Sequence, residues 1–239
     1  MRRAEPAPHR TRPARLAALA LAVAAPAHAQ VAGAISAESD YRLRGFSLSD
    51  KGPALSANLS YDLPAGPYVG VAGAVGLVPH NGPELLSRIL YGGFALRRPG
   101  GGSWDVGVSA QRYESYRAGL SARLKYDEVY AGWNGESLDA HLRYSPNYIR
   151  PGVRTLYLDL NGAREIRPDW RVFGHLGVMD TIGGRARGSP MFRYDVRVGV
   201  ARQVGPFDAH LAFTTRGPRT PGPSGRDRHA LTVGASYVF

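Results

Sequence analysis

Five histidines after residue 30 are the side chains best suited to moving protons or binding metal near neutral pH: His80, His141, His175, His210 and His229. Acyl transfer would need one of them within hydrogen-bond reach of a nucleophile. No Ser-containing motif stands beside His80 or His229. His141, His175 and His210 fall on the charged side of alternating segments, not on an apolar side where a lipid substrate would lie. A shared metal would need those three to converge, yet they sit on the seventh, ninth and eleventh of the twelve segments described below. The chain has no Cys, which excludes a thiol nucleophile, a Cys-ligated zinc site and a disulfide scaffold. The Gly-rich run Arg98-Pro-Gly-Gly-Gly102 lacks the Lys and following helix of a phosphate-binding loop and reads as a turn. The sequence implies no enzyme, no metal and no cofactor. A lipid-modifying enzyme is the least favoured reading.

The other chemistry is charge. The 239 residues hold 30 Lys+Arg against 19 Asp+Glu, a net charge of +11, which first suggests nucleic acid. The location of the charges argues otherwise. Arg2, Arg3, Arg10, Arg12 and Arg15 precede the apolar run Leu16–Ala25, and Ala27-His-Ala29 is a small-x-small cleavage site. Residues 1–29 read as a signal peptide, leaving a mature domain of residues 30–239 exported from the cytoplasm. No nucleic-acid partner is expected. Ten further bases are expected in outer loops (Lys51, Arg117, Arg150, Arg154, Arg185, Arg187, Arg216, Arg219, Arg226 and Arg228) against Asp50, Glu84, Glu114 and Asp227. That basic rim suits lipopolysaccharide phosphates.

The elements that must position these charges have a period of two. In Ser137-Leu-Asp-Ala-His-Leu-Arg-Tyr144, Leu138, Ala140, Leu142 and Tyr144 share one face, opposite Asp139, His141 and Arg143. Arg193, Asp195 and Arg197 alternate with Tyr194, Val196 and Val198 in the same way. Twelve such segments are predicted: 31–44, 54–62, 68–78, 86–96, 104–113, 120–133, 137–145, 155–162, 170–179, 192–203, 206–214 and 229–239. The segment 86–96 is apolar on both faces and its orientation is open. Tight connectors such as Asn134-Gly-Glu136 and Val204-Gly205 alternate with mostly longer ones, including Pro79–Pro83 and Ser145–Arg154. Most segments match the 9–11 residues of a tilted strand crossing a bilayer, and alternating connectors are expected of a barrel with two unlike rims.

Three features favour a transmembrane antiparallel up-and-down β-barrel over a soluble sandwich. Trp104, Trp133 and Trp170 all fall at one end of their strands, joined by Tyr237 and Phe239, as an aromatic girdle requires. Leu231, Val233, Ala235, Tyr237 and Phe239 form one apolar face running to the last residue. Glu38, Asp40, Arg42 and Arg44 place four charges on one face of the first segment, costly in a dry core but tolerable in a wet lumen.

Ser39-Asp-Tyr-Arg-Leu-Arg-Gly-Phe-Ser47 followed by Lys51-Gly-Pro-Ala54, Tyr126-Asp-Glu-Val-Tyr-Ala-Gly132 and His141-Leu-Arg-Tyr-Ser-Pro-Asn-Tyr148 resemble, in order, strands of the TorF-type porin family of proteobacteria. Ser87 and Ile89 stand where that pattern has acidic residues. The resemblance implies a small outer-membrane barrel, and the terminal Phe239 looks like the signature that barrel-assembly machinery reads. The expected function is passive diffusion of small polar solutes or ions through the outer membrane of a Gram-negative bacterium. The alternative is a non-conducting structural or interaction barrel whose basic loops bind lipopolysaccharide. The lumen-lining candidates are Glu38, Asp40, Arg42, Arg44, Glu128, Asp139, Arg143, Asp159, Arg171, Arg193, Asp195 and Arg197, with Arg42, Arg44, Arg193 and Arg197 favoured at the constriction. They are expected as opposed acidic and basic rows, each base alternatively serving in a wall-stiffening ion pair.

Overall fold

A computed structural model describes residues 30–117, 120–184, 192–218 and 228–239. The expected signal peptide, residues 1–29, lies outside the described residues. So do Arg185, Arg187, Arg219, Arg226 and Asp227 of the expected basic rim.

Alternation dictates the architecture. A strand with one apolar and one polar face closes on itself so that every backbone group is paired and no sheet edge remains. Twelve antiparallel strands do this here: β1 (Gln30–Glu38), β4 (Ala54–Asp62), β5 (Pro67–Val78), β6 (Gly82–Arg97), β7 (Ser103–Arg117), β8 (Leu120–Asn134), β9 (Leu138–Ser145), β10 (Arg154–Arg167), β11 (Trp170–Gly183), β12 (Phe192–Val204), β13 (Phe207–Gly217) and β14 (His229–Val238). Each pairs with its sequence neighbour and β1 closes on β14. Two dipeptide strands, β2 (Arg42–Leu43) and β3 (Phe46–Ser47), form a separate small hairpin inside. There is no helix among the described residues.

The outer face is apolar all the way round. Val31, Leu59, Val71, Leu90, Val108, Val129, Leu142, Val198, Leu211 and Val233 are each about half exposed. A soluble protein does not leave such a continuous apolar belt in water; a bilayer supplies its cover. Trp104 pairs with Trp133 across β7 and β8, their rings 5.2 Å apart, and Trp170 opens β11 at the same rim. Arg167 and Arg202 lie over the Trp170 ring at 4.7 and 5.4 Å. The connections at this rim are short: 63–66, 98–102, 135–137, 168–169 and 205–206. We call it the turn rim and the opposite one the loop rim.

The seam also ends at the turn rim. Phe239 exchanges two backbone hydrogen bonds with Gly33, of 2.9 and 3.0 Å, extending the β1–β14 ladder by one pair. Its ring covers Gly33, where a Cβ would come within 2.6 Å of the ring.

Several sequence expectations need correction. β1 stops at Glu38, six residues short of the expected end, because the chain leaves the wall there. The segment 86–96 has a β-bulge at Leu86/Ser87, facing Ala74/Val75. Leu86 and Ser87 are both buried, so the period-two pattern changes phase at that point. The Pro79–Pro83 loop is a tight turn of residues 79–81, and β7 continues to Arg117. Strands that project beyond the apolar belt are wet on both sides, so alternation ceases before the strand does. For the same reason Glu84, Glu114, Arg117 and Arg154 belong to strands, not loops; Arg216 also lies on a strand but is buried in the interior.

Candidate functional site

The lumen is built around the inner hairpin. After Glu38 the Ser39 amide donates to the Val233 carbonyl at 2.9 Å and the chain turns inward. Arg44 (φ 46°) and Gly45 (φ 76°) take the two left-handed positions of a two-residue hairpin turn. Gly45 is required twice over, since a Cβ there would sit 2.8 Å from the Cβ of Arg216. Asp40 organises the base. Its carboxylate accepts from Ser47 Oγ at 2.5 Å and Ser49 Oγ at 3.2 Å and pairs with Arg42, which donates to the Gly45 carbonyl at 2.6 Å. On the return leg the Leu48 amide donates to the Tyr41 carbonyl at 2.8 Å, and the Tyr116 amide donates to the Leu48 carbonyl at 2.9 Å. Leu48 and Ser49 are completely buried.

The hairpin tip crosses the barrel. Arg44 Nη2 donates to Glu128 Oε1 at 2.5 Å, and the guanidinium lies over the rings of Tyr157, Tyr148 and Tyr126 at 3.9, 5.2 and 5.4 Å. Glu128 also accepts from Gln111 Nε2 at 2.7 Å. Leu48 packs with Tyr113, Tyr126, Tyr148, Tyr157 and Met179 on one side of the hairpin. Tyr41 bridges to the Ala54, Ala74, Val78, Leu86 and Tyr116 cluster on the other. Arg216 stacks on Phe46 at 3.8 Å. Residues 39–53 therefore fill much of the loop-rim half of the barrel with a packed interior.

A cavity of about 850 Å³ lies below, reaching the turn rim at Gly135, Glu136 and Ser137. Its polar wall is a chain of pairs. Tyr68 donates to Asp105 at 2.5 Å, and Asp105 faces His141 at 3.5 Å. Arg143 Nε reaches Asp159 at 3.2 Å. His175 lies between Asp159 at 3.4 Å and Asp195 at 2.9 Å. Arg197 Nη2 is 3.0 Å from His210 Nε2 and 3.7 Å from Glu38. Arg171 pairs with Asp208 nearer the turn rim, where Asp139 accepts from the Gly135 amide at 3.1 Å. Apart from Glu38 on β1 and Tyr68 on β5, much of the inner face of β14, β1, β4 and β5 is small and uncharged, as at Thr232, Ser36, Ser56 and Ala72.

The sequence candidates thus divide. Glu38, Glu128, Asp139, Arg143, Asp159, Arg171, Asp195 and Arg197 project inward from barrel strands. Asp40, Arg42 and Arg44 do not continue β1; they belong to the inner hairpin. Of the bases favoured at the constriction, Arg42 lies on β2 of the hairpin and Arg44 in its turn. Arg197 lines the cavity, and among the described residues the buried Arg193 Nε has no hydrogen-bond partner. Among the described residues the expected opposed rows are absent: acids and bases interleave along the arc from β7 to β13, most of them within reach of an opposite charge. His141, His175 and His210 face different acids, and His229 stacks on Phe213 instead of facing a serine. Sequence reasoning missed Tyr68, Asp105, Gln111, Tyr157 and Arg216. Asp105 and Gln111 were readable from parity, since Trp104, Val106 and Val108 fix the outer face of β7.

The fold resembles solved outer-membrane porins. A KdgM porin superposes with a TM-score of 0.51 at 12% identity, and a KdgM porin in complex with disordered oligogalacturonate with 0.50 at 11%. A NanC porin gives 0.50 at 10%. Each likeness covers 87% of this chain and 99% of the other. No curated protein sequence matches the chain. The profile of the family described as "Bacterial protein of unknown function (Gcw_chp)" matches residues 22–225. The chain belongs to the Gcw_chp family.

Proposed function

We propose that the protein is a porin-like channel of the Gram-negative outer membrane. Small polar solutes or ions would pass by diffusion, with residues 39–53 as the constriction. One observation carries this reading: the first loop-rim connection folds inward and is tethered at its tip by Arg44 and Glu128, above a polar cavity that reaches the turn rim. Short turns face the periplasm in such barrels, so the cavity is a periplasmic vestibule. Its alternating acids and bases suit dipolar or weakly charged solutes better than strong anions. The likeness to KdgM and NanC porins and the resemblance to TorF-type porins point the same way. In this reading residues 1–29 direct export, Phe239 presents the assembly signal, and the basic residues of the loop rim meet lipopolysaccharide.

The packing of Leu48 among the tyrosines favours a second reading, a barrel plugged at rest that serves as an interaction surface. Planar-bilayer recording of the purified barrel separates the two. Reproducible single-channel steps support the channel. A silent barrel that is inserted and heat-modifiable on a denaturing gel supports the plug. Recovery in the soluble fraction without detergent would refute both.

A further inference from the structure

The outer wall carries one feature that a lipid-facing belt does not need. Arg88 on β6, Arg112 on β7 and Lys125 on β8 are cross-strand partners in a single row, Arg88 opposite Arg112 and Arg112 opposite Lys125. All three point outward. Their strand neighbours Ile89, Gln111, Tyr113 and Tyr126 face the interior. The next outward residues toward the turn rim are Leu90, Ala110 and Asp127, below which Val108 and Val129 continue the apolar belt. Three like charges side by side on adjacent strands repel one another.

The row is only partly neutralised. Arg112 Nη1 pairs with Asp127 at 2.9 Å and donates to two backbone carbonyls, of Gln111 and Tyr126, so it is held in place. Arg123 pairs with Glu114 at 3.1 Å just above. Among the described residues, Arg88 and Lys125 have no carboxylate partner. Opposite Arg88 on β5 stands Gly73, whose lack of a side chain leaves space beside the guanidinium. The result is a fixed central cation flanked by two free ones.

Depth decides what meets it. Trp104 and Trp133 pair at the turn rim, and Arg112 and Lys125 pair eight residues further along the same two strands. At about 3.4 Å per residue and a tilt near 40°, that is roughly 21 Å, against an apolar band about 25 Å tall. The row therefore lies at the far edge of the band, where the phosphates of outer-leaflet lipids sit. A base at that depth is poorly placed against acyl chains and well placed against a phosphate.

We propose that Arg88, Arg112 and Lys125 form a binding site for a phosphate of the phosphorylated disaccharide head of lipopolysaccharide, with the acyl chains lying along the apolar wall of β6–β8. This site rests on the outer-membrane reading given above, but it is on the outside of the wall and is independent of whether the lumen conducts.

The test is native mass spectrometry of the detergent-solubilised barrel titrated with bisphosphorylated lipid A. R88Q/K125Q keeps the Arg112–Asp127 pair and is compared with R98Q at the opposite rim. The double variant is expected to bind lipid A about 30-fold more weakly, and R98Q as the wild type does. Dephosphorylated lipid A should bind all three barrels equally and weakly. Retained lipid A binding by the double variant overturns the proposal, as does equal binding of the dephosphorylated lipid by the wild type. A lipid-free dimer or trimer that the double variant abolishes would assign the face to a second copy and likewise overturn it. Heat-modifiability on a denaturing gel verifies that each variant is folded. If R88Q/K125Q fails to fold, R88Q and K125Q alone carry the same comparison.

Discussion

Replacing Arg44 by alanine removes the ion pair that ties the hairpin tip to Glu128 across the barrel, and the consequence can be worked out. Glu128, with a side chain 1% exposed, would keep Gln111 Nε2 at 2.7 Å as its hydrogen-bond donor and lose its counter-ion. Removing one member of a buried pair typically costs about 3–5 kcal/mol, most of it the stranded charge. Alanine has much the same aversion to the left-handed backbone at this position as arginine, so φ strain changes little. The barrel ladder does not depend on the contact, so the loss falls on the docked state of the hairpin. A loss of about 3 kcal/mol raises the undocked-to-docked ratio by roughly 150-fold. Single-channel recordings of R44A should show larger or longer openings than the wild type, and residues 39–53 should become sensitive to protease added at the loop rim. E128Q should do less, because the guanidinium keeps its three tyrosine rings. The double variant R44A/E128Q leaves no stranded charge and should fall short of the summed single effects. Wild-type conductance and full protease protection in R44A would refute the assignment of this pair as the hairpin's anchor.

Gly45→Ala places a Cβ against Arg216 and Asp195 in a left-handed turn; conductance should rise as the tip is displaced, and an unchanged trace would show that the turn adapts. Asp159→Asn removes an acid that faces Arg143 and His175, so the vestibule becomes more positive and the reversal potential in a salt gradient should shift toward anion selectivity. Deleting Phe239 removes two backbone hydrogen bonds from the seam, worth about 1–3 kcal/mol together. The temperature at which the barrel loses its heat-modifiable gel mobility should drop.

The wall was legible because alternation is a local property. Val196, Val198 and Val200 against Arg193, Asp195 and Arg197 fix an orientation without knowledge of any partner. All the barrel strands but the one at 86–96, which is apolar on both faces, follow from such runs. Where two residues share one side, as at the Leu86/Ser87 bulge, the pattern loses phase and the orientation was open. The interior was harder for a different reason. Asp40, Tyr41, Arg42, Leu43 and Arg44 alternate as a strand would, yet the chain leaves the wall because Asp40 can gather Ser47, Ser49 and Arg42, and because Arg44-Gly45 can make a tight turn. That outcome depends on Glu128 and Tyr157 being across the barrel, which no local pattern reveals. The pairing of lumen charges along one arc likewise depends on strand register, such as Asp159 opposite His141 and Asn161 opposite His175.

The inner hairpin also bears on how the barrel can close. Its tip joins Arg44 to Glu128, 84 positions away, whereas the seam joins Ser39 to Val233, 194 positions away. A contact that divides a long ring lowers the entropy of closing it only slightly, about 0.6 kcal/mol for each halving of the loop. The larger effect is geometric. Until β14 arrives, β1 has one unpaired edge, the kind of edge that recruits wrong strands. A hairpin tethered to β8 holds that edge near the middle of the curving sheet and limits the directions from which a partner can reach it. The same residues that narrow the finished lumen thus act, while the chain is still open, as a strut that presents the first strand to the last.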